Sequence, residues 1–461
     1  MIYEKVLKNP ENFNFEIEKV GDSNHRNPIK KNEYTSDAER IAFSSQVGNI
    51  MQQIKSCKEL PSFEKAGIRE ILFHEPKKTK AAIITCGGLC PGLNNVIKGL
   101  VSVLEIEYGI KDVIGIRYGY LGLSKKSNHE PIKLKLEHID QIHKQGGTVL
   151  GSSRGNQEPG DMVDQLVSEG VNVLFCIGGD GTLKGAKAIA DEVKDRGLQI
   201  SVVGIPKTID NDLSFVEKTF GFETSVQVAS DIITSAHTEA VCAENGIGIV
   251  KLMGRDSGFI SASATLANSV IDFCLVPETK FHLHGDGGLL KAIEKRLKER
   301  QYSVIVVAEG AGQDLFTESS EQVDRSGNLM KEDIGLFLKQ QIEKYFSAKN
   351  IDMSIKYFDP SYHIRSVPAN ASDAIFCYQL AAHAVHAGMS GKTNLVIGHW
   401  NNFFTHVPID LATSERRMID LDSVLWKGVL STTQQDNELK TEYNKKEATK
   451  KKRPLDQDIS I

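Results

Sequence analysis

Apolar residues along this chain fall into short runs, each closed by a turn, and most of the runs are followed by a stretch of helical period. Ala81-Ala-Ile-Ile-Thr85 is followed by Cys86-Gly-Gly-Leu-Cys-Pro-Gly-Leu-Asn94, then by Asn95–Glu105 with apolar positions at helical spacing. Val173-Leu-Phe-Cys-Ile177 leads into Gly178-Gly-Asp-Gly-Thr182 and a helix from Leu183 to Arg196. Ile200–Ile205 ends at Pro206-Lys-Thr-Ile-Asp-Asn-Asp212, and Ile247–Leu252 ends at Met253-Gly-Arg255 before a helix over Phe259–Asn268. Phe273–Val276, Ser303–Ala308 and Asn394–Gly398 complete the set. Buried strands alternating with helices predict an α/β fold with mostly parallel sheets. In such sheets ligands bind at the carboxyl ends of strands, where these motifs lie.

The less regular segments predict extensions. Residues 1–75 are polar and weakly periodic and read as an N-terminal arm, with a helix over Ser44–Lys55. Residues 76–212 read as one lobe, to which 365–409 return, and 213–364 as a second lobe. Residues 410–461 read as a C-terminal extension, helical from Asp410 to Leu430 and ending in a basic, disordered tail around Lys445–Arg453. The two lobes are expected to be Rossmann-like, with helices flanking each sheet.

Composition narrows the function. With 461 residues, 40% hydrophobic and 25% charged, the chain is long enough for two lobes, and a net charge of −5 gives no reason to expect nucleic-acid or membrane partners. No apolar run approaches a membrane span and Met1–Phe15 has no signal-peptide core, so a cytoplasmic protein is expected. Seven cysteines, an odd number with two inside strand-like runs, read as free thiols in a reducing compartment.

Chemistry concentrates in three turns. The glycines of the first two offer bare backbone N–H groups, which suit phosphate oxygens. Asp180 suits Mg²⁺, directly or through water, with a turn closed by a capping Asp as the plainer, minor alternative. Asp210 and Asp212, one residue apart after a strand, can divide the work of a general base and its tuning partner; an acidic turn is the plainer alternative. Arg154, Arg255 and Arg365 lie in loops near strand ends and suit planar contact with phosphate, though each alone also reads as a surface residue. A phosphate cradle beside a carboxylate pair is what phosphoryl transfer to a hydroxyl needs.

The ordered motifs, together with Val276-Pro-Glu278, Ala308-Glu-Gly310 and Tyr362-His-Ile-Arg365, resemble the 6-phosphofructokinases over about residues 80 to 400. The long arm and the form Lys-Thr-Ile-Asp-Asn-Asp look like the atypical, long ATP-dependent branch. The resemblance implies ATP-dependent phosphorylation of fructose 6-phosphate at its 1-hydroxyl, with Mg²⁺. It implies that Gly88, Arg154, Gly155, Gly179, Asp180, Gly181 and Thr182 hold ATP, with Asp180 also holding the metal. Asp210 would be the base, with Thr208 and Asp212 beside it and Arg154 stabilising charge on the transferring group. Thr208, Ile209, Asp210, Met253, Gly254, Arg255 and Glu309 would contact the sugar, and Tyr362 and Arg365 its 6-phosphate. Residues 1–75 are too polar to form a core of their own and are expected to pack on the catalytic lobes or on a neighbouring subunit, in a homo-oligomer, dimer or tetramer; allosteric control is expected as well. The chain departs from the short bacterial enzymes near Gly246, which carries no Arg, at Lys356 in place of a neighbour-supplied Arg, and at Tyr362 in place of His. Pyrophosphate users, the alternative, carry Asp at the position of Gly181, where a carboxylate would repel the α-phosphate of ATP; Lys207 is shared with them.

Overall fold

The computed structural model describes residues 2–30, 33–56, 60–125, 127–155, 157–316, 330–435 and 439. The basic tail and Cys57 lie outside the described residues. The described chain forms two units, one from residues up to 225 and from 362 to 417, the other from 226–316, 331–361 and 418 onward.

The first unit is built on a sheet with nine strands among the described residues. Across the sheet they run Arg40–Ala42, Ser62–Lys65, Phe403–Pro408, Leu395–Trp400, Ser201–Pro206, Val173–Gly178, Ala81–Thr85, Val113–Ile116 and Ile132–Lys133. The middle five are parallel and the outer pairings antiparallel. Every residue of Ala81–Thr85, Val173–Gly178 and Ser201–Pro206 is buried. This is why those strands read as continuous apolar runs without alternation. The helices Leu93–Ser102 and Ala371–Met389 pack closely; a Cβ at Gly99 would stand 2.8 Å from that of Ala381.

The arm is not the irregular segment expected from its composition. Its strands Arg40–Ala42 and Ser62–Lys65 extend the main sheet. Phe15, Phe43 and Phe63 join Phe215 and Trp400 in one aromatic cluster, with ring centroids 5.1–6.3 Å apart. Those rings lie too far apart in sequence to make a periodic signal, yet together they bury a large apolar area. The expected helix appears as Val47–Lys55, with Val47, Met51 and Ile54 exposed.

The second unit holds a parallel sheet in the order Phe273–Leu275, Tyr302–Ala308, Gly246–Leu252 and Ser354–Phe358. Helices Phe259–Asn268, Leu289–Arg300 and Ile334–Ser347 belong to it. The first crossing between units was expected at Asp212 and falls after Ser225. Buried Asp373 accepts from the N–H groups of Gly221 and Thr224, so the start of the helix Phe222–Val241 is bound into the first unit. The C-terminal extension is not one helix. Ile409–Ala412 and Val424–Thr433 are helical, and between them residues 413–423 run without helix and carry two arginines.

Candidate active site

Strand register places the three turns of the first unit. Pro206 lies beside Gly178, and Ile177 beside Thr85, so the chain leaves all three parallel strands at one edge of the sheet. The turns are then stitched together. Gly87 N–H donates to the Ser153 carbonyl at 3.0 Å, and Ser152 Oγ to that of Gly87 at 2.6 Å. Lys207 N–H donates to the Gly178 carbonyl at 3.1 Å.

Gly88 sits where cations gather. A Cβ there would stand 3.2 Å from Arg365 Nη1 and 3.4 Å from Arg154 Nη2, so the bare backbone admits both guanidinium groups. Lys207 Nζ donates to the Gly88 carbonyl at 2.9 Å. Lys207 is buried, and burial pushes its ammonium below the usual lysine range; the Cys90 and Cys86 thiols oppose this, while Arg154 and Arg365 add to it. Three like charges crowded at one turn repel each other, and an anion placed among them relieves that repulsion. Gly87 itself takes φ +86°, which favours glycine.

The second turn opens the helix Asp180–Asp195, whose first N–H groups and dipole favour negative charge. Asp180 is paired with Lys184 at 3.1 Å and faces Arg416 at 3.6 Å. A Cβ at Gly181 would meet nothing within 4 Å, whereas one at Gly179 would come within 3.1 Å of the Lys207 carbonyl. The Thr182 side chain is buried beneath Gly178, and its carbonyl accepts from Tyr120 Oη at 2.6 Å. Its Oγ1 lies 4.0 Å from the place of a Cβ at Gly87, as Lys207 Nζ does at 3.7 Å, so hydroxyl and ammonium flank the same turn.

The third turn is held from several sides. Thr208 Oγ1 donates to Asp212 Oδ1 at 3.0 Å and accepts from the Asp210 N–H at 3.1 Å. Asn211, at φ +53°, is fixed by Nδ2 to the Glu217 carbonyl and by Oδ1 from the Thr219 N–H. Ile209 is buried. Arg416, from the extension, donates to Asp212 Oδ2 at 2.7 Å. Nothing in the sequence marks Arg416: it lies 204 residues from Asp212, in a stretch of helical pattern, and belongs to no motif. Lys207 bears on the choice of donor by its residue type, and no residue pattern announces its burial.

In the second unit, Leu252 lies beside Ala308 in parallel register, which brings Met253, Gly254 and Arg255 together with Glu309. Glu309 N–H donates to the Leu252 carbonyl and Gly310 N–H to that of Gly254. A Cβ at Gly310 would overlap the Arg255 carbonyl, so the approach needs glycine. Tyr362 and Arg365 belong to the first unit, where the Arg365 guanidinium lies over the Tyr362 ring, 4.9 Å from its centroid.

The family model described as phosphofructokinase matches residues 80–388. The chain belongs to the phosphofructokinase family. A relative from Borreliella burgdorferi, named ATP-dependent 6-phosphofructokinase, is 45% identical over 451 residues, covering 94% of this chain and 99% of its own. Relatives with the same name from Amycolatopsis methanolica and Trypanoplasma borreli are 44% and 48% identical, covering 88% and 84% of this chain and 89% and 77% of their own. Among solved structures, a pyrophosphate-dependent phosphofructokinase from Marinobacter aquaeolei shares the fold with TM-score 0.63 at 18% identity, over 77% of this chain and 91% of that one. Pichia pastoris phosphofructokinase aligns with TM-score 0.59 at 21% identity, over 87% of this chain and 40% of that one. The family fold is thus present, and the parallel, helix-flanked sheets agree with the α/β expectation. Arg416 lies beyond the residues that the family model matches. No helix among the described residues is long and apolar enough to cross a membrane.

Proposed function

We propose that this phosphofructokinase transfers the terminal phosphoryl group of ATP to the 1-hydroxyl of fructose 6-phosphate, with Asp210 as the general base. The observation that carries the reading is the meeting of Arg154, Arg365 and Lys207 at Gly88, beside the loop that holds Asp210. Phosphoryl transfer asks the protein mainly for positioning and for charge opposite the moving group. The three cations supply that charge. The glycine turns and the start of the helix Asp180–Asp195 seat the donor phosphates. The hydroxyl of the acceptor gives its proton to the Asp210 carboxylate, whose backbone is tied through Thr208 to Asp212.

The names of the curated relatives support ATP as donor, and so does the open space at Gly181. Asp180 would hold Mg²⁺. A hard carboxylate at a helix start, already facing two cationic side chains, is the donor type Mg²⁺ takes alongside phosphate oxygens and water. Bound there, the metal would neutralise charge on the donor phosphates. Met253, Gly254, Arg255 and Glu309 are assigned to the sugar. The place of Arg365 beside Arg154 favours a share in the phosphoryl group under transfer over a hold on the 6-phosphate alone.

Asp210→Asn tests the base. The substitution keeps shape and removes the proton acceptor, so kcat should fall on the order of 10²–10⁴-fold with both KM values little changed. A variant that turns over like the parent would remove Asp210 from the mechanism.

A further inference from the structure

Arg416 stands between two carboxylates that serve different parts of the reaction. Its Nη1 donates to Asp212 Oδ2 at 2.7 Å, and its Nη2 lies 3.6 Å from Asp180 Oδ2. The two acidic side chains are largely buried, 8% and 17% exposed, and the arginine is 33% exposed. A planar guanidinium with a fork of donors can face two carboxylates at once, which a lysine ammonium on a flexible stem does poorly.

The backbone around Arg416 is fastened to the same loop. Leu213 and Arg416 form an antiparallel bridge, and Arg417 N–H donates to the Asp212 carbonyl at 2.9 Å. Ser214 Oγ donates to the Glu415 carbonyl at 2.7 Å, and Arg417 Nη1 to that of Glu217 at 2.7 Å. The guanidinium is thus delivered by a fixed segment. From it a continuous polar path runs through Asp212 Oδ1 and Thr208 Oγ1 to the Asp210 N–H.

We infer that Arg416 is a positioning residue for phosphoryl transfer, tying the carboxylate assigned to the metal to the loop that carries the base. The inference rests on the roles given above to Asp180 and Asp210. In the unloaded protein Arg416 balances charge at both carboxylates. With a metal–nucleotide complex at Asp180, Arg416 would be released from that carboxylate and keep its hydrogen bond to Asp212, holding Thr208 and the Asp210 backbone in place for proton abstraction. Loading of the donor is in this way registered at the acceptor loop by a residue outside the stretch that the family model matches.

The test compares Arg416→Met and Arg416→Lys with the parent chain. In turnover with ATP, Mg²⁺ and fructose 6-phosphate, Arg416→Met should lower kcat about 10–100-fold, the usual effect of losing a partner that orients a site ligand. KM for fructose 6-phosphate should stay within about twofold, because Met253, Gly254, Arg255 and Glu309, assigned to the sugar, belong to the other unit and keep their places. Calorimetric titration with a magnesium complex of a non-hydrolysable ATP analogue, without sugar phosphate, should show affinity equal to the parent's or tighter, since no guanidinium then competes at Asp180. Arg416→Lys should give an intermediate kcat. Unchanged kcat in Arg416→Met overturns the tie. So does a loss of kcat matched by an equal loss of affinity for the analogue and a lowered melting temperature, the pattern of simple fold support. If Arg416→Met does not fold, Arg416→Lys decides by the same split between kcat and binding. Asp210→Asn is measured alongside: parental turnover there would overturn the assignment of the base, whereas parental turnover in Arg416→Met alone overturns only the tie.

Discussion

At the scale of single residues the site is a problem in like charge. Lys207 is buried, its ammonium is pushed down by burial, and it still sits within reach of two guanidinium groups at Gly88. Such a cluster suits an anion, and a phosphoryl group in transfer spreads its charge over three equatorial oxygens that cationic donors can meet. Arg365 is the informative member. Losing a charge-assisted contact costs about 1.5–3 kcal/mol, so Arg365→Ala should lower kcat/KM for fructose 6-phosphate roughly 10- to 150-fold. Part of that loss should appear in kcat, because Arg365 stands beside Arg154. Steady-state kinetics showing a raised KM for fructose 6-phosphate with kcat intact would restrict Arg365 to the 6-phosphate.

At the scale of elements, parallel register does the assembling. The turns after Thr85, Gly178 and Pro206 are far apart in sequence and adjacent in space because their strands are neighbours in one sheet. Glycines within them differ in what they permit. A Cβ at Gly88 would press on two guanidinium groups, whereas at Gly181 there is room in the protein itself. Gly181→Asp should therefore fold like the parent, so any change in donor use reports on the ligand. By the proposed seating of ATP, a carboxylate there would face the α-phosphate, and juxtaposed like charges cost several kcal/mol. ATP-dependent kcat/KM should drop on the order of 10²-fold or more, with pyrophosphate less affected. Efficient use of ATP by the variant, in an assay run with both donors, would show that Gly181 does not govern donor choice.

At the scale of the whole chain, the arm is locked to the main sheet by buried charge. Glu64 Oε1 meets Arg69, Lys392 and the His406 Nδ1–H at 2.7–2.8 Å. Burial pushes the Glu64 carboxyl up, but the hydrogen bond and charge of His406 and the charge of Lys392 overcome it and hold it at about 2. Nearby in the sequence, buried His74 meets Ser201 Oγ at 2.9 Å, and burial lowers it from its ordinary 6.5 to about 4. Between pH 6.5 and 4 the unfolded chain takes up a proton at His74 that the folded chain refuses. The stability linked to His74 is therefore complete above 6.5 and is lost as pH falls toward 4. Glu64 adds a loss of the same sign from its ordinary 4.5 down toward 2. Each group contributes a slope of up to about 1.4 kcal/mol per pH unit. In urea unfolding followed from pH 7 to 4.5, His74→Gln should flatten the dependence by about one proton. An unchanged slope would mean that His74 does not titrate as its burial requires.

Read as a string, the chain already determined its fold class and most of its candidate chemistry, because both depend on local order. A fully buried parallel strand must be an unbroken apolar run, and a phosphate turn must be rich in glycine; Ala81–Thr85, Gly87, Gly88 and Gly178–Gly181 satisfy both conditions within a few residues. Tertiary structure alone decided what depends on distant partners. The arm joined the sheet because Phe15, Phe43 and Phe63 bury themselves against Phe215 and Trp400. Lys207 became a buried cation because Gly88 offers it a carbonyl. Arg416 reached Asp212 and Asp180 because the segment after Ala412 leaves the helix and pairs with Leu213. Electrostatic partners of this kind leave no period in a sequence, since they are matched by position in space and not by spacing along the chain.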